Sequence, residues 1–170
     1  MCIRDSFKEV ADKKKQITAL DLEAIVSDEM RERSERYGLA WFEVEAGSKR
    51  EPHAKVAVLL DSGSEAVGEG SGDGPVDAVF GAIQSAVDVE CELRSYSVGA
   101  VTAGDDALGE VTVVLRAGGN LASGQGVATD IIEASARAYL RALSNALDGA
   151  AVQEAEAATA EAASERTPGP

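Results

Sequence analysis

The sequence predicts an α+β fold built from two consecutive units, each with three strands followed by one helix (βββα). Three strand-like segments precede each of two stretches with helical apolar spacing, and the first of them, WFEVEAG, alternates apolar and polar residues as a half-buried strand does. In each half the third predicted strand ends in glycines, and a helix-start signal follows. Residue identity between the halves is low, so the predicted repeat is pseudo-symmetric in architecture only.

The first unit is predicted to hold strands in the segments WFEVEAG, AKVAVLL and SEAVGEG. Its helix is predicted to begin with Gly74 as the N-cap and Pro75 as the first helical residue, where the missing N–H of proline costs nothing. The apolar positions of this helix recur at helical spacing. They are Val76, Val79, Phe80, Ile83 and Val87.

The second unit repeats the order, with predicted strands in ECELRSYSVGAVTAG, GEVTVVLRA and GNLASGQGVA. Thr129 is predicted to cap a longer helix, DIIEASARAYLRALSNAL. The two units together occupy residues 38–147. Ahead of them, residues 7–37 predict a short helical linker subdomain of two amphipathic helices. After them, residues 148–170 are rich in Ala and Glu without a large apolar face, which predicts a frayed helix that runs into a disordered tail.

Composition excludes several classes of function. The chain has 170 residues and a net charge of -14, whereas a nucleic-acid-binding protein needs a basic patch. Two cysteines form neither a disulfide framework nor a zinc quartet, which favours a reducing, cytoplasmic setting. No apolar run approaches the roughly 20 residues of a membrane span, and no secretory signal is visible.

The sequence offers little for catalysis. His53 is the only histidine, and no spacing typical of a histidine metal site occurs. Cys91 stands beside two glutamates, which we expect to raise its thiol pKa and to weaken it as a nucleophile. Asp105 and Asp106 fall in a predicted hairpin loop. We therefore predict no catalytic residue and no metal site, and the chain alone does not look like an enzyme.

Two glycine-rich segments, Gly68–Gly74 and Gly124–Thr129, are the candidate binding features. A helix N-terminus exposes N–H groups and partial positive charge, and a bare loop before it lets a carboxylate or phosphate approach. The alternative, favoured on spacing alone, is that the glycines only permit positive φ at tight turns. Asp77 and Asp130 lie in the predicted first turns, where they stabilise the helix ends or pair with a ligand amine. No Lys follows in the G-K-[ST] manner, so neither segment is a P-loop.

Four segments taken together resemble the C-terminal part of the 2-isopropylmalate synthases: ADKKKQITALDLEAI, GDGPVDAVFGAI, SYSVGAVTAGDDALGEVTV and GQGVATDIIEASARAYLRALSNAL. The first resembles the helical linker after the catalytic barrel of that family, and the others resemble its leucine-sensing regulatory domain. The resemblance runs from about Phe7 to Leu147. The first six residues, MCIRDS, match nothing in the family, and we expect them to be a non-native artefact.

The resemblance implies a homodimer in which leucine binds near the interface and inhibits the first committed step of leucine biosynthesis. It also implies that the catalytic TIM barrel, with its divalent metal and acetyl-CoA site, is absent, so this chain needs no cofactor and is inactive alone. Carried over by position, the effector-binding residues are Gly70, Gly72, Gly74, Pro75, Ala100, Ala103, Gly126, Val127, Ala128 and Thr129. Two alternatives stay open: an isoleucine-sensing domain of a citramalate synthase, and a purely structural dimerisation domain.

Overall fold

The computed structural model describes residues 36–101 and 107–164, together with Lys8, Leu22 and Val26, with side chains described as far as residue 149. Between residues 37 and 164, the described part of the chain holds six strands and two helices in succession. They are β1 (Tyr37–Gly47), β2 (Arg50–Leu60), β3 (Glu65–Ser71), α1 (Pro75–Val87), β4 (Cys91–Ala100), β5 (Gly109–Ala117), β6 (Asn120–Ala128) and α2 (Ile131–Ser164).

The strands form two separate antiparallel sheets, in the orders β1-β2-β3 and β4-β5-β6. Each sheet is followed by one helix, so the predicted α+β class with two βββα units is confirmed. Helix α1 packs on β3 and β2, and helix α2 packs on β6 and β5. In β5 every second residue, beginning with Gly109, is buried, as expected for a central strand with one face on the core.

The two helices run side by side in the same direction. Phe80 of α1 stacks on Tyr139 of α2, with ring centroids 4.4 Å apart. Further along, the Tyr37 backbone N–H donates to Ser144 Oγ (3.2 Å), and Tyr37 lines the same surface depression as Val87. Each helix therefore leads from the aromatic stack toward Tyr37, and both N-termini lie at the opposite end.

Glycines in β3 and β6 allow the helices to approach the sheets closely. A Cβ on Gly70 would lie 2.6 Å from the backbone carbon of Gly81 in α1. A Cβ on Gly126 would lie 2.8 Å from the Ala138 nitrogen in α2. Real Cβ atoms do not come this close to backbone, so a side chain at either position would force the helix away from its strand. The equivalent contacts of Gly68 and Gly124 with the two helices show the same arrangement.

Most of the two glycine-rich segments lies within β3 and β6 rather than in loops. β3 continues to Ser71 and β6 to Ala128, which leaves only short connections before the helices. The prediction that Thr129 caps the second helix is wrong: Asp130 is the cap, because its carboxylate accepts the Ile132 N–H (2.7 Å) and its carbonyl accepts the Ala134 N–H (3.0 Å). Gly74 and Pro75 start α1 as predicted.

Three other boundaries differ from the sequence pattern. β4 ends at Ala100, before the end of the predicted strand. β2 begins at Arg50, ahead of the predicted segment AKVAVLL, so His53 lies within this strand. Helix α2 continues past residue 147 to Ser164, where the sequence predicts a frayed helix, since Ala and Glu have high helix propensity. Asp105, Asp106 and the predicted linker helices lie outside the described residues, apart from Lys8, Leu22 and Val26, which are helical.

Candidate functional site

The N-terminus of α1 has no side-chain cap. Gly74 occupies the N-cap position with extended backbone and makes no side-chain hydrogen bond to the helix. Asp77 in the first turn accepts the Asp73 N–H through Oδ2 (3.1 Å), so its carboxylate folds back over the connection from β3. A Cβ on Gly72 would lie 2.8 Å from the Ala78 nitrogen, so this glycine also sits tightly against the helix start. The N–H groups at the start of α1 therefore have no side-chain cap, and the Asp77 carboxylate lies beside them.

The N-terminus of α2 differs, because a protein carboxylate already occupies it. Asp130 caps the helix through its hydrogen bond to Ile132. The two helix starts are thus equivalent in position but not in chemistry. An added anion would have to displace Asp130 at α2, whereas at α1 no side chain caps the helix.

One row of small residues crosses the second sheet at the end where α2 begins. Ala100 pairs with Gly109, and Gly109 pairs with Ala128. The structure thus brings two predicted site residues, Ala100 and Ala128, to the same edge as the helix N-terminus. Ala103 lies outside the described residues. A Cβ on Gly109 would collide with the Ile131 side chain, so this row lies directly beneath the first turn of α2.

The remaining predicted residues of the second unit alternate between the two faces of β6. Gly126 pairs with Val111 on the buried face and packs against α2, whereas Val127 pairs with Glu110 on the outer face. Both cannot line one pocket on the same side of the sheet. Within one chain, the close helix packing of Gly70 and Gly126 is sufficient to explain their lack of a side chain.

Tyr96 and Ser135, neither of which was predicted as a site residue, lie between the helices near these N-termini. Tyr96 of β4 lies edge-on to Phe80, with ring centroids 6.1 Å apart, and its hydroxyl is 3.0 Å from Ser135 Oγ. Ser135 in turn donates to the Ile131 carbonyl (2.6 Å). Tyr96 therefore joins β4 to both helices while 37% of it stays exposed. The position of Tyr96 in a predicted strand was the only feature of the sequence that pointed to this residue.

A polar network crosses the helix pair further from the N-termini. The Gln84 amide donates to the buried Tyr139 hydroxyl (2.7 Å), and Cys91 lies beside it. Burial raises the pKa of Tyr139, and the neighbouring Cys91 raises it further. The pKa of Cys91 is also raised, as predicted, but burial rather than the adjacent glutamates is the main cause. The network is therefore neutral at physiological pH and holds the helices together.

Other kinds of site find no support in the described residues. Among them, no group of three or more His, Cys, Asp or Glu side chains is arranged to hold a metal ion. No described helix combines the length and the hydrophobicity needed to cross a membrane. His53 is exposed on β2, 3.3 Å from Ser71 Oγ and 3.8 Å from Glu69.

The repeated βββα architecture, with its paired helices, defines a two-unit α+β domain. The profile of the LeuA allosteric (dimerisation) domain matches residues 16–147, and the chain belongs to this family. This confirms the resemblance drawn from the four sequence segments.

Its curated relatives are 2-isopropylmalate synthases. The protein from Crocosphaera subtropica is 51% identical over 148 residues, which are 87% of this chain and 27% of that relative. The Picosynechococcus protein is 47% identical over the same shares. The Carboxydothermus hydrogenoformans protein is 46% identical over 83% of this chain and 28% of its own length. The chain therefore spans about a quarter of the length of the relatives that it matches.

Proposed function

We propose that this chain is the leucine-sensing module of a 2-isopropylmalate synthase, in which bound leucine inhibits the condensation of acetyl-CoA with 2-oxoisovalerate. The observation that carries the proposal is the match of residues 16–147 to the LeuA allosteric (dimerisation) domain, with relatives that are 2-isopropylmalate synthases. The condensation itself belongs to a catalytic barrel outside this chain, and the module acts as a homodimer in the cytoplasm.

The geometry at α1 supports an amino-acid effector. The uncapped helix N-terminus suits the α-carboxylate of leucine, since its N–H groups and partial positive charge favour an anion. Asp77 suits the ammonium group, and its presence disfavours a simple anion such as phosphate. The apolar side chain would lie toward β4, where Val98 is 50% exposed and Ala100 makes room. Regulation then requires that leucine bind the inhibited and active arrangements with different affinity.

Calorimetric titration of the chain with leucine, isoleucine and valine tests the proposal. Leucine should bind most tightly. A preference for isoleucine would instead support a citramalate synthase module, and no heat from any of the three would support a purely structural dimerisation domain. The chain should yield no product from acetyl-CoA and 2-oxoisovalerate. Measurable turnover would contradict the proposal that a separate catalytic barrel carries out the condensation.

Substitution of Gly74 isolates the role of the helix end. No atom lies within 4 Å of a Cβ at Gly74, and Asp is a favoured N-cap, so Gly74→Asp should fold at least as well as the parent. Its carboxylate should repel that of leucine and weaken binding at least tenfold. Gly74→Asn caps similarly without charge and should lose less. Equal affinity in both variants and the parent would exclude the α1 N-terminus as the carboxylate site.

Substitution of Asp77 tests the ammonium contact separately. Asp77→Ala should weaken leucine binding, whereas Asp130→Ala, which removes the α2 cap, should lower stability with little effect on affinity. Unchanged leucine affinity in Asp77→Ala would show that this carboxylate does not hold the effector.

A further inference from the structure

The whole length of β4 after its first residue is exposed, unlike that of any other strand in the described part of the chain. β4 is an edge strand, and β5 is the only described element with extensive contacts to it. Three of its large side chains are well exposed: Leu93 (43%), Tyr96 (37%) and Val98 (50%). An open edge of this length is normally protected by charge, by proline or by another element.

These three side chains lie on the face that continues the core. In register they pair with Leu115, Val113 and Val111 of β5, all of which are fully buried. Leu93, Tyr96 and Val98 therefore point to the same side of the sheet as the buried core. We call this row the β4 stripe. The core face of the second sheet stays open at the β4 stripe.

In the first unit, the row of side chains equivalent to the β4 stripe is covered. The equivalent residues of β1 are Tyr37, Leu39, Phe42 and Val44, and all four are half-buried against the core. Helix α2 crosses over β1 and supplies that cover. The internal pseudo-symmetry would assign the corresponding place on β4 to α1, but α1 ends at Val87 and reaches β4 mainly through Phe80 and Tyr96. Among the described residues, the second unit therefore lacks a cover that the first unit has.

The composition of β4 suits contact between identical copies. Each copy carries a net charge of -14, so two copies repel one another. An uncharged contact surface adds least to this repulsion. Residues 95–100 carry no charge, and the β4 stripe is apolar, as suits the core of a twofold interface. At the start of the strand, Glu92 and Arg94 form an ion pair with each other (2.7 Å). Tyr96 is already fixed by its contacts with Phe80 and Ser135, so little side-chain freedom would be lost on association.

A second apolar patch, on the outer face of the first sheet, is a weaker candidate. It contains Trp41, Leu59 and Val67, which are 38%, 44% and 49% exposed. Charged residues of the same face surround this patch, among them the ion pair of Lys55 with Glu69 (3.3 Å). That pattern is typical of a solvated sheet face, whereas the β4 stripe continues the core.

We infer that a second copy of this chain packs on the β4 stripe, so that the two stripes meet across a twofold axis. The inference rests on the proposed homodimer and specifies its surface. A stable interface buries about 800 Å² per partner, so the contact must use the length of β4 and not three side chains alone. Val98, which is 50% exposed in one copy, would then lie between the two copies.

Sedimentation equilibrium of the full chain with a matched pair of variants tests this surface. Val98 and Val67 are the same residue type with almost the same exposure, on β4 and on β3 respectively. The parent should be dimeric. Val98→Lys should weaken dimerisation at least a hundredfold, and Val67→Lys should leave it within about threefold. A monomeric parent, an unchanged Val98→Lys dimer, or selective loss in Val67→Lys would each overturn the inference.

Cross-linking gives a readout that does not depend on tolerance of a lysine. In a Cys2→Ser/Cys91→Ser background, Val98→Cys should form cross-linked dimers with a short bismaleimide, whereas Val67→Cys should not. Absence of the Val98→Cys product from a dimeric sample would contradict the β4 stripe as the interface. Leucine titration separates this result from the proposed sensor: leucine binding by a chain that dimerises elsewhere overturns only the surface, and a β4 dimer that binds no leucine overturns only the sensor.

Discussion

At the residue scale, the glycines of β3 and β6 have a structural role that their spacing did not reveal. The sequence shows them as bare backbone before each helix, which is compatible with a ligand loop or a tight turn. In the fold neither Gly70 nor Gly126 has positive φ; each instead faces the backbone of its own helix. A single sequence cannot distinguish a ligand loop, a tight turn and close packing against a helix, because each of these roles favours a residue without a Cβ.

Gly70→Ala and Gly126→Ala should each destabilise the domain. The new Cβ would lie 2.7 Å from the Ala78 carbonyl at Gly70 and 2.8 Å from the Ala138 nitrogen at Gly126, and backbone cannot move aside as a side-chain tip can. Overpacking of this kind costs roughly 1–3 kcal/mol. Urea unfolding followed by circular dichroism would measure the loss of free energy of unfolding.

Gly47→Ala is the matched control, because no atom lies within 4 Å of a Cβ there and its φ is not positive. It should unfold within about 0.5 kcal/mol of the parent. Parent-like stability in both Gly70→Ala and Gly126→Ala would show that the helices do not need the close approach. Any loss of leucine affinity in these two variants must be corrected for their stability before it is assigned to binding.

At the scale of elements, apolar patterning together with glycines and helix-start signals was sufficient to predict the six strands and two helices of the two units. Their ends were harder to predict, because local preferences compete there. Thr129 and Asp130 are both good caps, and only the hydrogen bond to Ile132 decides between them. Tyr96 could not be recognised as part of the candidate site, since its importance comes from contacts with Phe80 and Ser135 that lie far away in sequence.

The contact between the helices predicts a specific loss of stability at high pH. Burial holds the pKa of Tyr139 above its ordinary value near 10, so the folded state keeps this proton after the unfolded chain has lost it. The stabilisation is therefore complete below about pH 10 and falls as the pH rises further. Tyr139→Phe has no proton to lose there, and its free energy of unfolding should decline less than that of the parent between about pH 9 and about pH 11.

The same variant separates the hydrogen bond from the titration. At neutral pH, Tyr139→Phe keeps the stacking on Phe80 but leaves the Gln84 amide without its acceptor, which should cost about 1 kcal/mol. Gln84→Leu combined with Tyr139→Phe should recover part of that loss. Parallel decline of parent and Tyr139→Phe over the alkaline range, measured by urea unfolding, would show that Tyr139 is not the residue responsible.

At the scale of the whole molecule, the two units share a topology but differ in which strand is covered and which helix start is capped. The first unit has a covered β1 and an uncapped helix start, whereas the second has a capped helix start and an uncovered β4. The helices run in the same direction, so the uncapped start of α1 and the end of β4 at Ala100 lie at the same end of the domain. In the proposed function, leucine binding would depend on both features, and regulation would then require that leucine bind the two arrangements of the dimer with different affinity.

Salt dependence of dimerisation tests the nature of that contact. Two copies that each carry a net charge of -14 repel one another, and the uncharged β4 stripe offers no compensating ion pairs. Raising the ionic strength from about 0.01 M to about 0.1 M shortens the Debye length from about 30 Å to about 10 Å, so repulsion weakens while apolar contact does not. The dimer dissociation constant, measured by sedimentation, should therefore fall as salt rises. An interface built on complementary charges would show the opposite trend, and a dissociation constant that rises with salt would exclude the β4 stripe as the principal contact.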